Sequence, residues 1–360
     1  MYPTILLPRR LSRRLVRRAA SAAFLLGVGL WPRVGGAAPC DGEQSPCLDA
    51  NALWFSPFSE HLAAIADAAL LEAGAYRAQL AVEYLRRPVV LVAPSADPEG
   101  RDIELVRFRT DATLLLAFGL GAGIDVGVAT PFALRQRGTG VEGVTSTDAP
   151  ALERAALRDP RLELRARLFD VPNGESRWFS SAGLGLLVPA GDESLLAGER
   201  GWVAAPRVTF GAALGHFGVL TELGARVRKT TELGGFRLGH QLTASLGAHY
   251  AVLGDGLLEL SAEATALPVL SQQPRVTYDD GSRALDAGLI PAEWWVGLGT
   301  RLSESAQLRA GAGGGLPLSF ERLEDSEGRE RTEHFQGVTV PSFRVFVAIS
   351  IATADAGGAP

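Results

Sequence analysis

Five histidines, His61, His216, His240, His249 and His334, are the residues with the widest chemical range in this sequence. None belongs to an HExxH pattern, and no CxxC accompanies them, so their spacing supplies no dedicated zinc or redox site. A barrel lipase needs a histidine within hydrogen-bond reach of a serine. His240 has Ser245 further along the same stretch but no His-x-Ser pairing. A protease-like site would have to draw on Asp279, Asp280 and His334, which read more simply as solvated loop charges. Asp279-Asp280 and Glu324-Asp325-x-Glu327 offer oxygen ligands without the spacing of a calcium loop. Gly311-Ala-Gly-Gly-Gly315 precedes no helix whose N-terminus could receive a phosphate. The expectation is a protein with no catalytic residues, no metal and no cofactor.

Two cysteines remain. Six residues separate Cys40 from Cys47 in a Pro/Gly/Asp-rich stretch, and in an oxidising compartment the two can close a small disulfide loop; the alternative is two free thiols. The compartment is suggested by residues 1–38. Arg9, Arg10, Arg13, Arg14, Arg17 and Arg18 precede an apolar run, Ala19 to Trp31, and then the small residues Gly35 to Ala38. That is the three-part secretory signal, and its apolar part is too short to span a membrane.

The chain has 360 residues, of which 42 are Gly, 47% are hydrophobic and 21% are charged. The apolar fraction excludes disorder. The glycine load disfavours a helical bundle. No segment beyond the signal reaches the ~18 apolar residues of a spanning helix. Residues 1–38 hold seven of the 35 basic residues and none of the 40 acids, which leaves the mature chain at −12. Such a charge argues against nucleic acid as a partner.

The mature chain reads as strands of period two. Leu162, Leu164, Ala166 and Leu168 alternate with Arg161, Glu163, Arg165 and Arg167; Leu258, Leu260, Ala262 and Ala264 alternate with Glu259, Ser261, Glu263 and Thr265. One face is apolar and the other polar, so the two faces meet different environments. Strands are expected near 76–92, 103–118, 123–136, 160–170, 177–189, 203–215, 217–229, 238–252, 257–269, 291–302, 307–320 and 340–352. Short turns such as Val171-Pro-Asn-Gly-Glu-Ser176 and Leu253-Gly-Asp-Gly256 alternate with long polar connections over 93–102, 137–159, 190–202, 230–237, 270–290 and 321–339. Strands near the ~10 residues a tilted membrane strand needs, with short turns at one end and long loops at the other, predict a closed antiparallel transmembrane β-barrel of about twelve strands. Residues 39–74 precede it as a periplasmic or plug-like segment, in which Ser59 caps an expected short helix through Leu70. The barrel occupies 75–352, and 353–360 is a tail.

Tyr84-Leu-Arg-Arg-Pro-Val-Val90, Pro131-Phe-Ala-Leu-Arg-Gln-Arg-Gly138, Leu157-Arg-Asp-Pro-Arg161 and Leu184-Gly-Leu-Leu-Val-Pro-Ala-Gly191 carry a further likeness. Over roughly 75–352 the chain resembles bacterial outer-membrane β-barrel proteins, and more narrowly the barrel domains found alone or ahead of OmpA-type peptidoglycan-binding modules. Two departures stand out: no such module follows, and the last strand does not end the chain on an aromatic residue. The resemblance implies the outer membrane of a Gram-negative bacterium, with outer-membrane lipids, lipopolysaccharide and the barrel-assembly machinery as partners.

In such a barrel the functional signal is the inward charge. Arg107, Arg109, Asp111, Arg161, Glu163, Arg165, Arg167, Glu222, Arg226, Arg228, Glu259 and Glu263 are expected to line the lumen. If water separates them, the arginines favour small anions in a narrow passive pore for small solutes or ions. If they pair, they brace the wall of a non-conducting structural or display barrel. A barrel enzyme ranks third.

Overall fold

Alternation becomes architecture because lipid cannot satisfy a backbone polar group, so a spanning sheet must close on itself. The computed structural model describes residues 47–67, 69–92, 102–141, 152, 155–174, 176–254, 257–275, 282–325 and 327–353. The expected signal, Cys40 and the C-terminal tail beyond Thr353 lie outside them. The strands are β1 (Tyr76–Val92), β2 (Asp102–Gly121), β3 (Ile124–Arg137), β4 (Ala156–Leu157), β5 (Arg161–Asn173), β6 (Ser176–Leu187), β7 (Val203–Leu214), β8 (Phe217–Arg226), β9 (Thr231–Leu233), β10 (Phe236–Leu238), β11 (Gln241–Leu253), β12 (Leu258–Ala266), β13 (Arg283–Gly288), β14 (Ala292–Ser303), β15 (Ala306–Gly315), β16 (Ser319–Glu324), β17 (Glu330–Phe335) and β18 (Phe343–Ala352).

Twelve of these form the wall, in the order β1, β2, β3, β5, β6, β7, β8, β11, β12, β14, β15 and β18, every neighbouring pair antiparallel. The last strand returns to the first, with Arg77 opposite Ala352 and Arg86 opposite Phe343, and this pairing closes the barrel. The chain therefore enters and leaves the wall at the rim that carries the short turns. Outward residues are apolar and exposed: Leu164 is 48% and Leu260 47% accessible, whereas the intervening Arg165 is 2%. Trp178, Trp202, Tyr250 and Trp294 are exposed among them.

The long connections are more ordered than loops. β9 and β10 pair as a hairpin, and β13, β16 and β17 form a small sheet of their own. β15 stops at Gly315 instead of running on to residue 320, and β18 starts at Phe343 instead of near 340. Pro317 and Pro341 stand at these interruptions and have no N–H for the ladder.

The helix expected from Ser59 to Leu70 does not form in the described residues. Several of its amides and carbonyls are bonded to the wall instead of to one another. Glu263 accepts from the N–H groups of Ala63, Ala64 and Ile65, and Arg309 donates to the carbonyl of Leu62. Ser59 instead ties a turn, its hydroxyl donating to the carbonyls of Ser56 and Ala63.

The outward face makes a testable demand. Leu164→Arg and Leu260→Arg should each destabilise the barrel by about 2–4 kcal/mol near the bilayer midplane, as read by denaturant unfolding from liposomes. Full stability of Leu164→Arg would contradict the face assignment.

Candidate functional site

The inner wall carries the charges, and they are occupied. Residues 47–71 run among them with their backbone held by one strand after another. Arg226 on β8 donates to the carbonyl of Ala52 at 2.8 Å, Arg161 on β5 to that of Phe55, and Arg77 on β1 to that of Phe58 at 3.3 Å. Arg165 on β5 donates to the carbonyl of Ala69 at 3.0 Å, and Glu263 on β12 accepts from Ala64 at 3.1 Å and Ile65 at 3.3 Å. A segment gripped from strands around a closed wall lies inside the barrel. It is a plug.

Two buried arginines organise one end of this interior. Arg344 on β18 reaches Glu83 on β1, Glu293 on β14 at 2.9 Å and the side-chain oxygen of the plug residue Asn51 at 3.0 Å. Arg158 enters from the connection between β4 and β5. It binds Asp49 of the plug at 2.7 Å and Asp111 on β2 at 2.8 Å. Asn51 completes the network by donating to Glu83 at 2.7 Å and to Asp111 at 3.2 Å. Arg109 pairs with Asp111 at 2.6 Å and donates to the carbonyl of Leu196 at 2.9 Å. Burial of this many charges is tolerable only because each is paired and hydrogen-bonded.

Aromatic plug residues take up other arginines. Trp54 packs against both Arg226 and Arg161, whose guanidinium carbons lie 3.8 and 4.7 Å from its ring centre. Phe58 receives Arg165 at 4.5 Å. Each contact supplies attraction from the ring face to a cation removed from water. Arg165 also pairs with Asp125 at 2.7 Å, and Glu163 joins Arg161 to Arg207.

At the long-loop end the described residues pack an apolar cluster across the wall and plug. Leu48, Val89, Leu105, Leu196, Leu238 and Val338 belong to one buried cluster drawn from the plug, the wall and the outer connections. Asp159 pins the connection over 190–199 by accepting from the amides of Ala190 at 2.8 Å, Gly191 at 2.6 Å and Glu199 at 2.6 Å. Burial pushes this carboxyl up to about 7 against the pull of those amides. Two cavities between plug and wall, one beside Arg158 and the other beside Arg226, hold about 10 and 40 Å³. Neither has room for more than a water or two.

The expected lumen residues divide accordingly. Arg109, Asp111, Arg161, Glu163, Arg165, Glu222, Arg226, Glu259 and Glu263 are buried on the inner wall, and Arg228 is buried just beyond β8, where it pairs with Glu199 at 2.7 Å. Arg107 is not in the lumen. Arg86 pairs with Phe108, but Val89 pairs with Val106, so Arg107 falls opposite the unpaired Arg87 and Pro88. Arg87 has φ +51° there, and this bulge turns Arg107 outward, its side chain 68% exposed beside Glu104. Arg167 keeps the register, opposite Ser181 and on the face of Arg165, and is 42% exposed at the short-turn rim near Asp170; the register shift comes only after it. Cys47 is disulfide-bonded; Cys40, its expected partner, is outside the described residues.

Asp49, Asn51, Trp54 and Arg158 were not anticipated as site residues. Nothing in their local spacing marks them, because they leave the alternating segments and meet the wall only in three dimensions. His61 of the plug stacks on His249 of β11 beside Glu259 of β12, three residues whose meeting has no sequence spacing to announce it.

No protein-family model matches the sequence, and no curated protein sequence is significantly similar to it. Solved structures do match. The COG4313 outer membrane channel from Pseudomonas putida F1 superposes with a TM-score of 0.50 at 14% identity, over 79% of this chain and 98% of that one. The chain has the fold of an outer-membrane β-barrel. Its fold is the closed antiparallel barrel of that channel, with an apolar belt on the outward face. The NanC porin aligns less closely, at a TM-score of 0.39 and 8% identity over 78% of this barrel and 99% of that chain. The outer membrane phospholipase A of Escherichia coli gives 0.34 and 13%, over 82% and 95%. The likeness to the Pseudomonas channel shows the fold. The narrower resemblance to barrels that precede peptidoglycan-binding modules finds no counterpart among them.

The buried network predicts a contrast between two arginines. Arg344→Gln strands Glu83 and Glu293 in the interior of the barrel and should cost about 3–5 kcal/mol in denaturant unfolding. Arg107→Gln, on the outside, should change stability by less than about 0.5 kcal/mol.

Proposed function

We propose that this barrel is a narrow channel for small solutes or ions, shut in this conformation by its own residues 47–71. The observation that carries the reading is how the plug is held. Much of its grip consists of wall side chains bonded to plug backbone, as with Arg226 to Ala52, Arg161 to Phe55, Arg309 to Leu62 and Glu263 to Ala63–Ile65. No strand of the plug joins the wall sheet among the described residues. A permanently filled barrel is served as well or better by apolar packing, since buried ion pairs seldom outweigh hydrophobic replacements. A charged wall has a use when the filler can leave, because water can then replace the plug as the partner of each group.

Arginines and carboxylates occur around the wall in comparable number, so the vacated lumen should be only weakly selective, with the surroundings of Arg161, Arg165 and Arg226 favouring anions locally. The second reading, a non-conducting structural barrel, draws on the apolar cluster at the outer mouth. Planar-bilayer conductance separates the two. The intact barrel should open rarely, and a variant lacking residues 47–71 should conduct steadily. A plug-deleted barrel that folds in liposomes, resists heat in detergent gels and never conducts would leave the structural reading in place.

A further inference from the structure

On the outward face of β1, β2 and β3 the apolar belt gives way to arginines toward the long-loop rim. Arg86 stands opposite Phe108, and Phe108 opposite Arg137. One step nearer the middle of the wall, Tyr84 stands opposite Thr110, and Thr110 opposite Arg135. Arg86, Arg107, Arg135 and Arg137 are all exposed. The Arg135 guanidinium lies 5.6 Å from the ring centre of Phe108, which stacks on Tyr84 with ring centres 6.3 Å apart.

Two slips in the ladders put three of these arginines outside. Counting by twos from the buried Arg109 would send Arg107 into the lumen, and counting from the buried Ala133 would send Arg135 and Arg137 there. The β1–β2 register shifts between Arg86 and Val89. The β2–β3 register shifts between Thr110 and Asp111, where Leu134 is the extra residue and Gln136 turns inward instead. Bulges re-aim side chains, and both of these add positive charge to the same outer surface. The described residues of these three strands bring two acids to this end of the outward face, Asp102 and Glu104. Arg87 pairs with both, and Arg107 lies 3.4 Å from Glu104. Arg86, Arg135 and Arg137 meet no carboxylate among the described residues. Five arginines against two acids leave three positive charges beside the lipid belt.

We propose that this patch binds the head group of a membrane lipid carrying two phosphates, in the leaflet at the long-loop rim. An outward arginine is costly at the bilayer midplane and nearly free at the interface, so the arginines mark the level of the head groups. Tyr84 and Phe108 share that level, as interfacial aromatic residues do. A guanidinium matches phosphate oxygens with two parallel N–H donors. A phosphate monoester carries about −1.5 to −2 charges, so one phosphate leaves the patch positive and two balance it. The exposed Val82 and Leu114 continue the same strands toward the midplane and offer an apolar surface to the acyl chains. A free phosphate has no use for that surface.

The patch is on the lipid side of the wall, so its occupancy does not depend on whether the lumen conducts. Native mass spectrometry of the full-length barrel in detergent, with diphosphoryl lipid A as the probe, should show one lipid retained. Arg86→Gln, Arg135→Gln and Arg137→Gln combined should weaken retention about tenfold or more. Arg135→Gln alone should weaken it about threefold or more, and decides the matter if the triple variant fails to fold. Arg301→Gln, at the short-turn rim, should leave retention unchanged. Monophosphoryl lipid A should be held less tightly, and equimolar pyrophosphate should not displace the diphosphoryl form. Undiminished retention in the variants would overturn the site. Phosphatidylglycerol held as tightly as diphosphoryl lipid A, or displacement by equimolar pyrophosphate, would overturn its assignment to a lipid with two phosphates.

Discussion

Lipid offers no partner for an N–H, a carbonyl or a guanidinium, and most of this fold is a response to that constraint. The sheet closes so that no edge meets hydrocarbon. Closure gives the wall one dry face and one enclosed face, and the charges can only go inward. Once there they must be paired or hydrated. The plug resolves the remainder, because an irregular segment exposes carbonyls and amides that a strand or helix would consume. Arg161, Arg226 and Arg309 use its carbonyls, and Glu263 uses its amides. The same bonds prevent the plug from becoming the helix that its sequence would otherwise support.

The interior is consequently a network rather than a set of pairs. Asn51 illustrates the difference. Its amide donates to Glu83 and Asp111 while its oxygen accepts from Arg344, so one plug side chain touches groups from three strands. Removing any member leaves others uncompensated in a poorly solvated space, and the cost spreads around the wall. Apolar packing shares the task of fixing the plug: Leu53, Phe55, Phe58, Leu62 and Ile65 of the plug are buried against wall residues such as Leu115, Ala117, Leu220 and Phe346. The largest apolar cluster lies at the outer mouth, where the connections pack over Leu48 and Leu105.

Strand bulges set the limits of this order. At Arg87 and Pro88 the ladder slips and Arg107 turns to the outside; between Arg167 and Phe169 the β5–β6 ladder slips as well. A bulge takes up an extra residue at each place. The β6–β7 and β7–β8 ladders show no such slips; the former runs without interruption from Ser176–Leu214 to Leu187–Val203.

The twelve wall strands, their order of short and long connections, and the lipid or lumen facing of Leu164 and Arg165 were legible in the sequence, because a period of two between unlike solvents is a local pattern. So were the ten buried charges among the twelve expected. The outward turn of Arg107 was not, because a bulge is decided by how two strands pair and not by either strand alone. The path of residues 47–71, the roles of Asn51, Trp54 and Arg158, and the meeting of His61 with His249 across 188 positions were decided by tertiary structure. These residues have no periodicity of their own. What places them is the set of unsatisfied groups left on a wall that exists only after the strands have closed.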